Sequence, residues 1–367
     1  MGPRRYSNCN TIINMKTNET ANGKMKIGTA VVLVIAIVLA AGFQPVSAQV
    51  MTANGFKVYF NTPPASNYID NRVVDLINSS TSYCYVAVYA FNRASIKTAL
   101  INAKNRGVSV KVVTEADNRN NATYKPAYDA LVAAGITVVS DNRTALMHHK
   151  FIVIDDIEVL SGSYNMTDDQ TTADKNNVLI IHSSGVASRY KSEFNQMFSG
   201  IFGASKVDYS GSNTVATATV YTKFSPKTDV LASIKSHIGT ANTSVYFNIF
   251  TFTDRGVADA LIARKNAAVT VKGSFDAWQA GLSASQYNYM LSSGVPVKKD
   301  TYTGLLHDKF MAIDGGTTSG PRTITGSFNW TQAANTSNDE NCLVILDATV
   351  TNSYKGNAVY VYTYKAQ

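Results

Sequence analysis

The chain repeats itself, and that repetition limits its folds more than any other feature. His148-His149-Lys150-Phe151-Ile152-Val153-Ile154-Asp155 and His307-Asp308-Lys309-Phe310-Met311-Ala312-Ile313-Asp314 share a His-x-Lys-x4-Asp spacing about 160 residues apart. Each copy is followed by a second signature, Gly162-Ser163-Tyr164-Asn165 and Gly326-Ser327-Phe328-Asn329. The likeness extends beyond the motifs: Val58-Tyr59-Phe60 aligns with Val220-Tyr221-Thr222, 83–91 with 244–252, 99–104 with 260–265, and 135–138 with 294–297. A period this long is too great for a solenoid repeat and suits a duplicated domain.

Within each half, short apolar runs at 83–90, 108–113 and 151–154 read as strands covered on both faces, and 73–77 and 231–237 as amphipathic helices. Strands alternating with helices give an α/β sandwich in each half. The polar, Gly/Ser-containing stretch 208–214 reads as the join. The expected organisation is a leader over 1–48, a first lobe over 49–205, a linker over 206–218 and a second lobe over 219–367.

The repeated residue types suit phosphodiester chemistry. A phosphodiester is anionic and repels an anionic attacker, whereas a neutral imidazole can approach phosphorus and form a phosphohistidine. A second imidazole in the opposite protonation state then serves as acid and later as base. Neither half holds both, so the centre is expected where the lobes meet, around a pseudo-twofold axis. Lys150 and Lys309 can clamp the phosphate charge, with the Ser163 and Ser327 hydroxyls and the Asn165 and Asn329 amides as further donors. The lysines supply the charge that a two-metal site would otherwise bring, so no metal is expected.

The paired motifs resemble those of the phospholipase D superfamily, and the stretch from Thr325 through Gly326-Ser327-Phe328-Asn329-Trp330-Thr331 to Glu340-Asn341 is similar to its compact bacterial members, lipid phosphodiesterases and metal-independent nucleases among them. The likeness runs from about Val58 to the end. It implies two phospholipase D-like α/β sandwich lobes with the active site in the cleft between them, no cofactor, and a catalytic set of His148, Lys150, Asp155, His307, Lys309, Asp314 and Glu340. Within that set Asp155 and Asp314 end apolar strands, where a structural duty is expected. Counted from each Gly-Ser, Glu340 corresponds to Asn176, and Asn341 to Asn177. A carboxylate stabilises an imidazolium better than an amide does, so Glu340 is assigned to orient the nucleophile and Asn176 the acid. The family's habit of crossed contacts makes His148 the nucleophile. His149, on the other side of its strand, is assigned to packing.

The formal charge of +8 falls to +4 once 1–48 is set aside, a bias compatible with anionic lipid, nucleic acid or neither. Lys24 and Lys26 precede an apolar run to about Phe43, and Val46-Ser47-Ala48 offers a cleavage site, so export to a secreted or periplasmic location is expected. Cys84 and Cys342 are expected as buried free thiols in separate sheets. Trp278, Tyr287 and Tyr289 follow a strand and stand as candidates for the cleft rim or for plain loop packing. The expected activity is hydrolysis of phospholipid at a membrane surface to phosphatidic acid and free head group, with possible transfer to alcohols. A nuclease using the same chemistry on DNA or RNA and an inactive phosphate-binding protein are the alternatives. A monomer is expected because one chain carries both motifs.

Overall fold

The computed structural model of the chain describes residues 50–51, 55–61, 68–318 and 320–367. The expected leader, its apolar run and its cleavage site lie outside the described residues. Among the described residues no helix is long and apolar enough to cross a membrane.

Two eight-stranded sheets carry the fold. In the first, β1 (Val50–Met51), β2 (Phe56–Asn61), β3 (Tyr83–Val88), β4 (Ser109–Thr114), β5 (Thr137–Ser140), β6 (Lys150–Ile154), β7 (Glu158–Gly162) and β8 (Asn176–His182) stand in the order β1-β2-β8-β7-β6-β3-β4-β5. The second holds β9 (Gly211–Val215), β10 (Ala218–Ser225), β11 (Ser244–Ile249), β12 (Thr270–Asp276), β13 (Val297–Asp300), β14 (Lys309–Ile313), β15 (Arg322–Gly326) and β16 (Glu340–Leu346). Its order, β9-β10-β16-β15-β14-β11-β12-β13, repeats the first position for position, as a duplicated domain requires. Each sheet is mixed: β3, β4 and β5 run parallel, as do β11, β12 and β13, and the remaining pairs are antiparallel.

Two sequence expectations need correction. The 206–218 stretch is not simply a linker, because β9 lies within it and pairs antiparallel with β10. Alternating exposed and half-buried positions give β9 the pattern of an edge strand, which polar composition disguises as loop. The alignment of Val58-Tyr59-Phe60 with Val220-Tyr221-Thr222 is also two residues out of step. Phe60 pairs with Asn177 and Phe224 with Asn341, so it is Phe60 and Phe224 that correspond.

Burial explains why β6 and β14 read as unbroken apolar runs: every residue in both is buried. On one side each sheet packs against its own helices, through Val73, Ile77, Leu100 and Leu131 in the first lobe and Leu231, Ile234, Val257 and Leu261 in the second. On the other side the lobes share a core. Phe56, Phe60, Phe151 and Tyr190 of the first lobe and Phe224, Phe310, Leu343 and Tyr354 of the second belong to one apolar cluster. The helices Ser184–Phe198 and Ala348–Tyr364 supply its symmetric aromatic contacts: Tyr190 meets Phe151 at 4.9 Å and Phe224 at 5.2 Å, and Tyr354 meets Phe310 at 4.9 Å and Phe60 at 5.1 Å. Cys84 and Cys342 are free and buried in separate sheets.

Candidate active site

His148 and His307 stand just before β6 and β14, where each chain segment leaves its own sheet and docks on the other lobe. Met147 bridges to Asp339 and Leu306 to Lys175. The His148 N–H donates to the Asp339 carbonyl at 2.9 Å, and the His307 N–H to the Lys175 carbonyl at 2.9 Å. The next residue of each partner strand then meets the imidazole. His148 Nδ1 lies 2.8 Å from Glu340 Oε2, and His307 Nδ1 lies 3.1 Å from Asn176 Oδ1. Each histidine is thus aimed by the opposite lobe, through residues that the sequence pairs with each other.

Strand alternation puts Lys150 and Lys309 on the same side as their histidines. Lys150 Nζ donates to the His148 carbonyl at 2.8 Å, Lys309 Nζ donates to the His307 carbonyl at 2.8 Å, and Lys309 Nζ also lies 3.1 Å from His307 Nε2. With Lys309 donating to Nε2, the His307 proton sits on Nδ1 and points at the Asn176 oxygen. All four side chains are buried, with 1–7 % of their surface exposed, so the site is almost closed to solvent.

That dryness sets the protonation states. Burial, followed by the lysine charges, holds both imidazoles well below the usual histidine range. Lys150 is pushed well below the ordinary lysine value by burial and then by Lys309. Lys309 is brought down to about 7 by burial, against the pull of Glu340 and Asp308. Glu340 is pushed up to about 7 by burial, opposed by Lys150 and by hydrogen bonds from Ser327 and Asn338. The centre holds neutral imidazoles beside two lysines whose charge burial disfavours, and an anion between them would restore that charge.

The other expected residues fall into three groups. Asn165 is buried beside the motif, and its Oδ1 has no partner among the described residues; Asn329 Oδ1 accepts the Thr251 N–H at 3.3 Å. The Ser163 and Ser327 hydroxyls are fully buried and face inward. Ser163 Oγ donates to Asn176 Oδ1 at 2.9 Å and accepts the Asn177 N–H, and Ser327 Oγ accepts the Asn341 N–H at 3.0 Å. In this arrangement they brace the residues that brace the histidines. Asp155 and Asp314 stand just past the ends of β6 and β14, away from the histidines that precede those strands. Asp155 collects the backbone N–H groups of Thr81, Ser82 and Tyr83 at the start of β3, and Asp314 those of Asn242, Thr243 and Ser244 at the start of β11. Both have left-handed backbones, φ 52° and 54°, which aspartate tolerates better than most residues.

Sequence reasoning missed a second layer. Asn177 Oδ1 accepts from Thr325 at 2.8 Å and Tyr354 at 3.2 Å, while Asn341 Oδ1 accepts from Ser161 at 2.6 Å and Tyr190 at 3.2 Å, so each amide is held from the far lobe. His149, assigned to packing, is fully buried between Asn341 Nδ2 at 3.2 Å and Glu193 Oε1 at 3.1 Å, and Lys206 bridges Glu193 to Asp339. Tyr89 stands edge-on to His148 at 4.9 Å and Phe250 leans on His307 at 4.7 Å. The available signal was position: Tyr89 and Phe250 are equivalent residues of the duplicated strands, and Asn177 and Asn341 directly follow Asn176 and Glu340.

The family model described as "Cardiolipin synthase, PLD-like domain" matches the chain twice, at residues 73–198 and 234–358. Among curated proteins, the mitochondrial cardiolipin hydrolase of Chlamydomonas reinhardtii is 28% identical over 38% of this chain and 60% of its own length. The phospholipase D of Rickettsia conorii is 34% identical over 35% of this chain and 62% of its own length. The chain therefore spans about three-fifths of these relatives. A solved phosphatidylserine synthase from Haemophilus influenzae superposes with a TM-score of 0.61 at 13% identity, covering 87% of this chain and 88% of that one, a likeness of fold. With both lobes matched over more than half of the sequence, the chain belongs to the phospholipase D-like family.

Proposed function

We propose that the protein is a phosphodiesterase that works through a phosphohistidine, and that its substrate is a phospholipid. The observation that carries this reading is the crossed arrangement of His148 on Glu340 and His307 on Asn176, with Lys150 and Lys309 between lobes. His148 donates Nδ1–H to Glu340, which leaves the Nε2 lone pair to attack phosphorus. An N–P bond forms, the P–O bond to the leaving alcohol breaks, and His307 gives that alkoxide its proton. A bound phosphate anion raises the proton affinity of His307, which burial and the lysines otherwise depress. Water then gives a proton to His307 and attacks phosphorus, and the N–P bond breaks. Lys150 and Lys309 hold the non-bridging oxygens throughout. An alcohol in place of water gives transfer.

Lipid is favoured over nucleic acid by the names of the relatives, a cardiolipin hydrolase and a phospholipase D. The products are then phosphatidic acid and a free head group. The inactive-binder alternative calls for erosion of one motif, and both histidines and both lysines are in place. The leader sequence supports export, and the paired motifs in one chain support a monomer. The test is incubation with phosphatidylcholine vesicles and, separately, with single-stranded and duplex DNA, each in EDTA. Choline release without DNA nicking is expected. Nicking alone moves the substrate to nucleic acid, and loss of activity in EDTA contradicts the metal-free scheme.

A further inference from the structure

The two lobes differ most where they flank the cleft. A short helix follows the equivalent strand in each: Ala116–Asn120 after β4 and Ala277–Ala280 after β12. The two segments are rooted alike. Glu115 accepts the Met147 N–H at 2.7 Å and Asp276 the Leu306 N–H at 3.0 Å, so each holds the residue before a catalytic histidine. Beyond that root they diverge. The first-lobe segment carries Asp117, Arg119, Lys125 and Asp129, with Arg119 and Lys125 paired to Asp129 at 2.9 and 2.6 Å. Its second-lobe counterpart, residues 277–297, contains no Asp, Glu, Lys or Arg.

The large side chains that the second rim exposes are apolar. Residues 277–278 and 281–284 are exposed and uncharged, with Trp278 63% and Leu282 44% open to solvent. Trp278 lies in the short helix and Leu282 in the turn that follows it. The Trp278 ring lies 6.5 Å from Phe250, which itself packs on His307, so the patch is continuous with the cleft. A large exposed indole beside an exposed leucine is costly in water and suits the layer where lipid head groups meet acyl chains. A nucleic-acid strand needs cations to neutralise phosphates, and residues 277–284 carry none, while Arg255 and Lys299 lie over Tyr289 and Tyr287 further along the segment.

We infer that the 277–284 rim seats the protein on a phospholipid bilayer, with Trp278 and Leu282 entering the interfacial layer beside the His307 end of the cleft. This rests on the reading of phospholipid as substrate and adds the surface by which the enzyme reaches it.

The chain has two tryptophans, and Trp330 is buried at 1% exposure, so an environmental change in fluorescence reports Trp278. The experiment titrates the full protein with vesicles of phosphatidylcholine and phosphatidylglycerol, with and without brominated acyl chains, and repeats it with single-stranded DNA. A blue shift that brominated lipid quenches is expected. In vesicle sedimentation, Trp278→Ala is expected to weaken partitioning by roughly tenfold to a hundredfold. Ile201→Ala, an exposed apolar residue of the first lobe, leaves it unchanged. Emission unmoved by vesicles, a shift produced only by DNA, or a shift that depends on protein concentration without lipid each overturns the inference. Hydrolysis of a small soluble phosphodiester by the unaltered protein is measured in parallel. If that fails while Trp278 still enters vesicles, the catalytic reading falls and the rim stands; if it succeeds while vesicles leave Trp278 unmoved, the reverse holds.

Discussion

At the scale of single residues, the site turns on one asymmetry inside a symmetric frame: a carboxylate behind His148 and an amide behind His307. Replacing either histidine with asparagine is expected to abolish turnover. With a substrate whose leaving group needs no acid, His307→Asn should accumulate a phosphoenzyme labelled on His148; label on His307 in the converse variant would reverse the assignment. The pH profile follows from the same groups. Below about pH 7 Glu340 gains a proton and stops stabilising the His148 cation, and above about pH 7 Lys309 loses its charge. His148 is held well below its ordinary range, so its protonation does not set the acid limb, and His307 gains its proton only once phosphate is bound. A narrow bell in kcat with its maximum near neutrality is expected. Glu340→Gln keeps the acceptor oxygen but removes the titration, so it should flatten the acid limb and lower the maximum by about 10²–10⁴-fold. An unchanged acid limb in that variant would remove Glu340 from the scheme.

At the scale of elements, each orienting residue is pinned by the residue before it, and the pins carry opposite charges. Ahead of β8, Lys175 reaches Asp300 at the end of β13, 2.6 Å away and fully buried. Ahead of β16, Asp339 is held by Arg143 and by Lys206. Burying a pair gains little net stability, but removing one partner strands the other charge at a cost of about 3–5 kcal/mol. Lys175→Met should lower the unfolding free energy by about that amount in urea titration, and adding Asp300→Leu should recover much of the loss. Equal stability of the single variant and the parent would show that the pair is not a pin. The motif aspartates work on their elements in the same indirect way: Asp314→Ala frees the N–H groups that open β11 and should cost stability without touching the chemistry directly.

At the scale of the whole molecule, the lobes share a core, and the helices that build it touch both sheets. Phe224 and Phe310 of one lobe pack with Tyr190 and Phe60 of the other. Neither lobe expressed alone buries that face. The described body is therefore expected to unfold in one transition, with the same midpoint by far-ultraviolet circular dichroism and by fluorescence. Two separated transitions would mean that each lobe is stable by itself and that the cleft can open by lobe dissociation.

The fold was legible because duplication is written in the order of residues. The equivalence of Tyr83 with Ser244, of Lys150 with Lys309 and of Asn176 with Glu340 survives in the strand registers. An edge strand was not legible: β9 is polar because only one side of it is covered, so composition alone reads as loop. The types and spacing of His148, Lys150, His307 and Lys309 carried the proposed chemistry, because a phosphorus centre needs a neutral nucleophile, an acid and fixed cations. Spacing along the chain says nothing about which carboxylate meets which imidazole, since partners 192 and 131 residues apart meet only when two sheets pack face to face. That packing alone put Glu340 behind His148, turned the Ser163 and Ser327 hydroxyls inward, drew His149 into a buried ionic cluster and sent Asp155 and Asp314 away from the site.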